Sequence, residues 1–194
     1  MDEPRRVLIL ASTSPRRREL LADAGLEFEL EAPDVDERPL PAESPEAMAE
    51  RVARLKAETV AKRAAPGRVV LAADTLVVLG DAVLGKPRDG GEASAMLLRL
   101  AGNTHRVLTG YTLRCGDEIR SGVAESRVRM REVTPAEAAA YAATGEPLDK
   151  AGAYAVQGEG GRFVESIEGS RSNVIGLPVE VVVPLLARFG VRPA

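Results

Sequence analysis

Arginines follow a helix-start signal near the N-terminus, in the stretch "LASTSPRRRELL" at residues 10–21. Ser14 and Pro15 predict that a helix begins there, because serine caps helix N-termini and proline suits the first helical position. Unpaired backbone N–H groups at such an end bind anions, and guanidinium groups match phosphate oxygens in pairs. Arg16 and Arg17 are therefore candidates for phosphate binding, with a solvated basic patch as the alternative.

One carboxylate interrupts an otherwise apolar run, "LAADTLVV", that is typical of a β-strand. A buried carboxylate without a partner is costly, so Asp74 requires a cation, a metal or a proton. The alternative is an aspartate that caps a turn at a strand end, but apolar residues lie on both sides of Asp74. We therefore predict that Asp74 is a functional acid.

Two further stretches carry weaker signals. Lys86 lies in "GDAVLGKP", which resembles a phosphate-binding loop but has Pro87 where that loop needs a hydroxyl side chain. Lys86 is thus either a point charge for a phosphate or an exposed surface lysine. The acidic loop after residue 32 offers Asp34, Asp36 and Glu37 as hard oxygen ligands for Mg²⁺ or Mn²⁺, although exposed loops are often acidic.

The histidine content limits the chemistry further. His105 is the only histidine, which excludes a multi-histidine zinc site and leaves hydrolytic triads without support. We predict a structural or peripheral role for it. The remaining groups are cations for phosphates, one or two carboxylates for a divalent metal, and no evident covalent nucleophile. This combination suits hydrolysis of a phosphoanhydride by metal-activated water.

Strands and helices alternate along the chain that must position these residues. Apolar or alternating runs predict strands at residues 6–11, 27–32, 68–80, 105–115, 122–133 and 163–167. Capping signals predict helices after Ser14, Ser44, Asp89 and Thr134, with capping boxes at the last two. This alternation predicts an α/β fold, a mixed twisted sheet with helices on its faces.

Three local features refine this prediction. The helix after Ser44 carries an apolar stripe and ends near residues 66–67; the stripe comprises Met48, Val52, Leu55 and Thr59. Residues 145–162 are rich in glycine and form a long loop of functional interest. A last helix over 177–189 contains Pro184, which should kink or interrupt it.

The overall composition sets the class of protein. The 194 residues are 45% hydrophobic and 3% aromatic, so we expect one large domain with an aliphatic core. A net charge of −3 argues against bulk binding to nucleic acid, which needs a basic face. One cysteine permits no internal disulfide, and no apolar run near the N-terminus is long enough to span a membrane. We expect a cytoplasmic protein without a membrane partner.

Four successive stretches resemble the motifs of Maf-type nucleoside triphosphate pyrophosphatases. They are "LASTSPRRRELL", "LAADTLVVLGDAVLGKP", "GNTHRVLTG" and "LDKAGAYAVQGEGGRFVESIEGSRSNVIGLPV", in that order. The resemblance implies a single domain, residues 1–194, with two lobes around a central cleft, commonly as a homodimer. It also implies cleavage of a small-molecule nucleoside triphosphate to the monophosphate and pyrophosphate, with a divalent cation, Mg²⁺ or Mn²⁺, as cofactor.

The resemblance also implies a role for each matching residue. Asp74 would be the catalytic base and, together with Glu37, a metal ligand. The side chains implied to bind the triphosphate are Arg16, Arg17, Lys56 and Lys86. The residues that match the specificity positions of the dTTP/UTP pyrophosphatase subgroup are Arg16, Thr75 and Gln157. A bound triphosphate would offset the cost of arginines at a helix N-terminus, which favours acidic neighbours.

Two other classes of function remain open from the sequence. One is a non-enzymatic nucleotide-binding regulator of cell division, which would bind the same ligand without releasing pyrophosphate. The other is a nucleotidyl or phosphoryl transferase, which would need an acceptor substrate. No acceptor-binding motif is apparent in the sequence, and the acidic and basic residues of the hydrolase are all present.

Overall fold

The computed structural model describes residues 6–193. Within this range seven strands, β1 to β7 in chain order, span Leu8–Ala11, Phe28–Glu31, Val69–Leu79, Ala82–Leu84, Thr104–Cys115, Glu118–Met130 and Val164–Glu168. They form one sheet in the order β2-β1-β3-β5-β6-β7, and β4 pairs with β3 off this path. Strand β1 is parallel to β2 and β3, whereas β3–β4 and β6–β7 are antiparallel. The predicted mixed sheet is confirmed.

Six α-helices accompany the sheet in the described residues. In chain order, α1 to α6 span Pro15–Asp23, Pro45–Ala61, Gly90–Leu100, Pro135–Ala143, Arg171–Ile175 and Val179–Arg188. The side chains of Ser14, Ser44, Asp89 and Thr134 each accept a backbone N–H of the first turn, so the four predicted caps are confirmed. None of these helices has the length and apolar character that a membrane crossing requires.

Only one of the two predicted capping boxes forms. The carboxylate of Glu137 bonds the backbone N–H of Thr134, which completes the box at α4. At α3 the carboxylate of Glu92 instead accepts the backbone N–H of Arg88, one residue before the cap. The Arg88 side chain also bonds that carboxylate at 2.9 Å, which draws it away from the Asp89 backbone.

The chain divides into two compact units. The described residues of the first unit are 6–74, 109–124 and 176–193, and those of the second are 75–108 and 125–175. Each unit has its own core of buried apolar side chains. The single domain predicted from the sequence stays a prediction.

In the first unit, β1 and β3 are buried on both faces, which explains their continuous apolar sequences. On one face, Leu8 and Leu71 pack in a core with side chains of α6. On the other face, Val70 and Ala72 pack against side chains of α2. Because successive strand residues point to opposite faces, Asp74 continues the row of Val70 and Ala72 toward α2.

The predicted stripe on α2 lies along the edge of its buried face, because Val52 is buried and Met48, Leu55 and Thr59 are half-buried. The buried side chains of this helix are Ala49, Val52, Ala53, Lys56, Ala57 and Val60. Three alanines allow the helix to lie close to the sheet, and at Gly110 of β5 even a Cβ atom would overlap the backbone carbonyl of Ala49. The closest face of α2 is therefore its small-residue face, and that face includes Lys56. The helix also ends at Ala61, before the predicted position.

The glycine-rich segment at residues 145–162 is more ordered than a long loop. Three short 3₁₀ turns occupy Glu146–Asp149, Ala151–Ala153 and Glu159–Phe163. Pro184 lies inside α6 without interrupting it, and a kink at this proline stays a prediction. The short helix α5 has no counterpart among the predicted elements.

Candidate functional site

Asp74 lies within the long strand β3, five residues before its end at Leu79. The side chain is 10% exposed, and its Oδ1 atom accepts a hydrogen bond from Nζ of Lys56 at 2.8 Å. This placement rules out a strand-end cap. The buried carboxylate is stabilised by a cation, as its position in an apolar run requires.

Lys56 joins two carboxylates. Its Nζ atom is 2.9 Å from Oε1 of Glu37 as well as 2.8 Å from Oδ1 of Asp74. The Lys56 side chain is 8% exposed, whereas that of Glu37 is 55% exposed. The cluster of Glu37, Lys56 and Asp74 is therefore buried at its strand side and open to solvent at its loop side.

The two carboxylates of this cluster fit a divalent metal ion. Carboxylate oxygens are hard ligands, and Mg²⁺ is commonly held by one or two of them together with water and substrate phosphates. Glu37 and Asp74 already converge on one positive charge, that of Lys56. Over residues 6–193 no group of three or more His, Cys, Asp or Glu side chains is placed to hold an ion. Water and substrate phosphates would complete the coordination of a metal ion held by these two carboxylates.

The other two acidic residues of this loop differ from Glu37. Asp36 forms an ion pair with Arg38, whose Nη2 atom lies 2.6 Å from Oδ2. The hydrogen bonds from Arg38 lower the pKa of Asp36 to about 2. Asp34 is exposed. Of the three acidic candidates in the loop, the structure brings only Glu37 to the Lys56–Asp74 pair.

The N-terminus of α1 presents its arginines in different environments. Arg17 is buried, and its Nε atom donates to the carbonyl of Gly176 at 2.8 Å. A second contact joins Nη1 of Arg17 to Oγ of Ser12 at 3.4 Å. Arg16 is half-buried, whereas Arg18 is exposed as a solvated helix residue would be. The guanidinium of Arg17 is thus held in one orientation by backbone and side-chain oxygens.

Arg17 is electrostatically coupled to the carboxylate cluster. Burial lowers the pKa of the Arg17 guanidinium, and the negative charges of Asp74 and Glu37 oppose that shift. The neighbouring positive charge of Arg16 adds to the lowering. Charges interact strongly at short range in a poorly solvated site. The anion site predicted at α1 and the acid predicted on β3 therefore belong to one electrostatic environment.

Three predicted site residues belong to the second unit. Thr75 is half-buried and directly follows Asp74 on β3, Lys86 is exposed just after β4, and Gln157 is exposed in a turn. The carbonyl of Gly85 accepts the N–H of Gly152 at 3.1 Å, so the Lys86 loop is tied to the glycine-rich segment. That Lys86 and Gln157 act together with Asp74 stays a prediction.

Comparison with known proteins assigns the family. A family model described as Maf-like protein matches residues 7–189, which is almost all of the described chain. The chain belongs to the Maf-like protein family. The resemblance seen in the four sequence motifs is thereby confirmed.

This Maf-like protein has curated relatives that match it along nearly their whole length. A dTTP/UTP pyrophosphatase of Myxococcus xanthus (strain DK1622) is 53% identical over 190 residues, covering 98% of this chain and 96% of the relative. A dTTP/UTP pyrophosphatase of Vibrio cholerae is 47% identical, covering 94% of this chain and 97% of the relative. Among solved structures, the Staphylococcus aureus Ham1 protein has 16% identity and a TM-score of 0.45, and covers 66% of this chain and 73% of that one.

Sequence reasoning missed two groups in this Maf-like protein. Ser12 accepts both the N–H of Ser14, at 3.1 Å, and the Arg17 guanidinium. Ser12 lies two residues before the cap residue Ser14. Because serine hydroxyls commonly accept a backbone N–H two residues further along the chain, this contact could have been predicted from the sequence. Glu146 accepts the backbone N–H groups of Glu159 and Gly160, which lie 13 and 14 residues further along the chain, and no local pattern marks it.

Proposed function

We propose that this protein hydrolyses dTTP and UTP to the nucleoside monophosphate and pyrophosphate. One observation carries the proposal: the buried carboxylate of Asp74 shares the Lys56 ammonium with Glu37 in the electrostatic environment of Arg17. The site combines acceptors for a proton or a metal ion with cations for phosphate oxygens. The names of the curated relatives support the choice of substrate.

Positive side chains would bind the triphosphate. The fork of Arg17 is oriented by Gly176 and Ser12, so less conformational freedom is lost when it meets phosphate oxygens. Arg16 and Lys86 would add charge from solvent-accessible positions. Fixed cations near the leaving pyrophosphate lower the transition-state energy, because negative charge develops on its oxygens.

Asp74 would accept a proton from the water that attacks the α-phosphorus. Lys56 donates to its Oδ1 atom, which fixes the orientation of the carboxylate. A carboxylate by itself is a weak base for bulk water. A divalent cation, Mg²⁺ or Mn²⁺, held by Glu37 and Asp74 would make water more acidic and draw charge from the phosphate oxygens. Whichever share of these two roles Asp74 takes, its charge is essential.

The test is a product analysis. Purified protein is incubated with each canonical and several modified triphosphates, with Mg²⁺ or Mn²⁺, in ¹⁸O-labelled water. We expect dTTP and UTP to give pyrophosphate and a monophosphate that carries the label, as attack at the α-phosphorus requires.

Other product patterns would contradict the proposal. A nucleoside diphosphate with labelled orthophosphate would place the attack at the γ-phosphorus. Tight nucleotide binding without any product would support the non-enzymatic regulator. Product formation only after addition of an acceptor alcohol or nucleotide would support a transferase.

A further inference from the structure

The turn that carries Gln157 is fastened on both sides by two side chains from one short segment. Before Gln157, the backbone N–H of Ala155 donates to the hydroxyl of Tyr141 at 3.4 Å. After Gln157, the backbone N–H groups of Glu159 and Gly160 donate to the carboxylate of Glu146 at 3.0 and 3.1 Å. Gln157 itself is exposed at the tip of this turn.

The two fastening side chains also bond each other. The hydroxyl of Tyr141 donates to Oε1 of Glu146 at 2.7 Å, so Glu146 accepts three hydrogen bonds in all. Burial raises the pKa of Glu146, but its hydrogen bonds and the charge of Lys150 outweigh that effect and leave the pKa below its ordinary value. The carboxylate is therefore ionised at neutral pH, the state in which both oxygens only accept.

Two glycines of this turn leave the space that the Glu146 carboxylate and the Tyr141 hydroxyl occupy. A Cβ atom on Gly158 would overlap Oε1 of Glu146, and one on Gly160 would lie 2.5 Å from the Tyr141 hydroxyl. Gly158 has φ −101°, a value that any residue adopts. A side chain at position 158 would therefore displace the Glu146 carboxylate, although the backbone conformation there suits any residue.

We propose that Glu146 is a positioning residue for nucleobase selection, which holds the backbone of the turn from which the Gln157 side chain extends. The inference rests on the proposed function, in which Gln157 reads the edge of the base. Hydrogen bonds discriminate strongly between bases only when the protein group is held in place before the ligand arrives. A turn fastened on one side alone would allow Gln157 to adapt to several bases.

The test compares Glu146→Gln with wild type on dTTP, UTP, dCTP and dGTP. Glutamine keeps the size of the side chain but replaces one acceptor oxygen by an NH₂ group that faces a backbone N–H. We expect kcat/KM for dTTP and UTP to fall about tenfold through KM, with little change for dCTP and dGTP. The matched control is Glu165→Gln, an exposed carboxylate on β7, which should leave the preference unchanged.

A double-mutant cycle separates positioning from a general effect on folding. In a Gln157→Ala background, Glu146→Gln should change the preference among nucleotides less than about twofold, because the positioned group is already gone. If Glu146→Gln does not fold, Gly158→Ala carries the test, since its methyl group displaces the same carboxylate.

The outcomes that overturn the inference are distinct from those that overturn the proposed function. An equal loss of kcat for all four nucleotides, or an undiminished effect of Glu146→Gln without Gln157, overturns the inference alone. A wild-type protein that releases no pyrophosphate from any triphosphate overturns the proposed function, and the inference with it.

Discussion

The ammonium of Lys56 lies 2.8 Å from the carboxylate of Asp74, and both side chains are buried. The pair joins the buried face of α2 to the central strand β3. A buried ion pair is weak grounds for stability, because desolvation of two charges offsets much of their attraction. The pair places a carboxylate inside an apolar strand, as the proposed hydrolysis requires.

Removal of the acid should abolish turnover and spare the fold. In Asp74→Asn the carboxylate charge is lost, but Lys56 keeps its ion pair with Glu37. We expect kcat to fall at least about 100-fold, the usual contribution of a general base. Steady-state kinetics and thermal denaturation would be measured together, with Asp81→Asn, at the β3–β4 turn, as the matched control. A parallel loss of activity and stability would make Asp74 structural.

Removal of the shared ammonium should make the protein depend on a divalent cation for stability. In Lys56→Met, Glu37 and Asp74 lose the positive charge between them. We expect the free energy of unfolding to fall by about 3 kcal/mol in EDTA and to recover in part with Mn²⁺. Urea denaturation measures both values, with the exposed Lys62→Met as control. The same response to Mn²⁺ in both variants would contradict a metal site at Glu37 and Asp74.

Replacement of the predicted specificity residues should change the order of substrates more than the best rate. Thr75→Val and Gln157→Ala each remove a hydrogen-bonding group without changing net charge. We expect the preference for dTTP and UTP over dCTP to fall about tenfold in each variant. Competition between substrates, followed by chromatography, measures the ratio directly. A proportional loss on every nucleotide would remove these residues from base recognition.

The stability of the protein should fall as the pH drops below about 6.5. Burial lowers the pKa of His105 from 6.5 to about 4, and its Nε2 atom lies 2.8 Å from the Tyr154 hydroxyl. In the unfolded chain His105 therefore binds a proton near pH 6.5, whereas in the folded chain it binds one only near pH 4. We expect a loss of about 2 kcal/mol between pH 7.5 and pH 5 from this residue alone.

A histidine-free variant isolates that contribution. His105→Phe should be less stable at neutral pH, because Tyr154 loses its partner, but its stability should change less between pH 7.5 and pH 5. Urea denaturation at the two pH values gives the difference. Identical pH dependence in wild type and variant would show that His105 is protonated in the folded state near its ordinary pKa.

A methyl group at the closest helix–sheet contact should move Lys56 indirectly. The Cβ atom of Gly110→Ala would overlap the backbone of Ala49 on α2. We expect a loss of about 2 kcal/mol in stability, together with a lower kcat, because α2 carries Lys56. Gly90→Ala, whose nearest contact is an ordinary 3.8 Å, is the matched control. Unchanged kinetics in Gly110→Ala would mean that the site tolerates a shift of α2.

Features that depend on near neighbours in the chain could be predicted from the sequence. The caps at Ser14 and Ser44 and the position of Asp74 inside a strand are all confirmed. Each depends on residues within a few positions of one another, where backbone geometry alone fixes the contact. That Arg16 and Arg17 lie at the start of a helix could be predicted for the same reason.

Contacts between distant residues were decided by the tertiary structure. Periodicity on α2 did not reveal that Lys56 is buried, because the choice of face depends on the close approach at Gly110. No local sequence pattern revealed that the backbone N–H groups of Glu159 and Gly160 donate to the Glu146 carboxylate. Local sequence specifies where the capped helices begin. Which polar side chains meet is determined by packing, since burial makes an unpaired charge or N–H group too costly to leave without a partner.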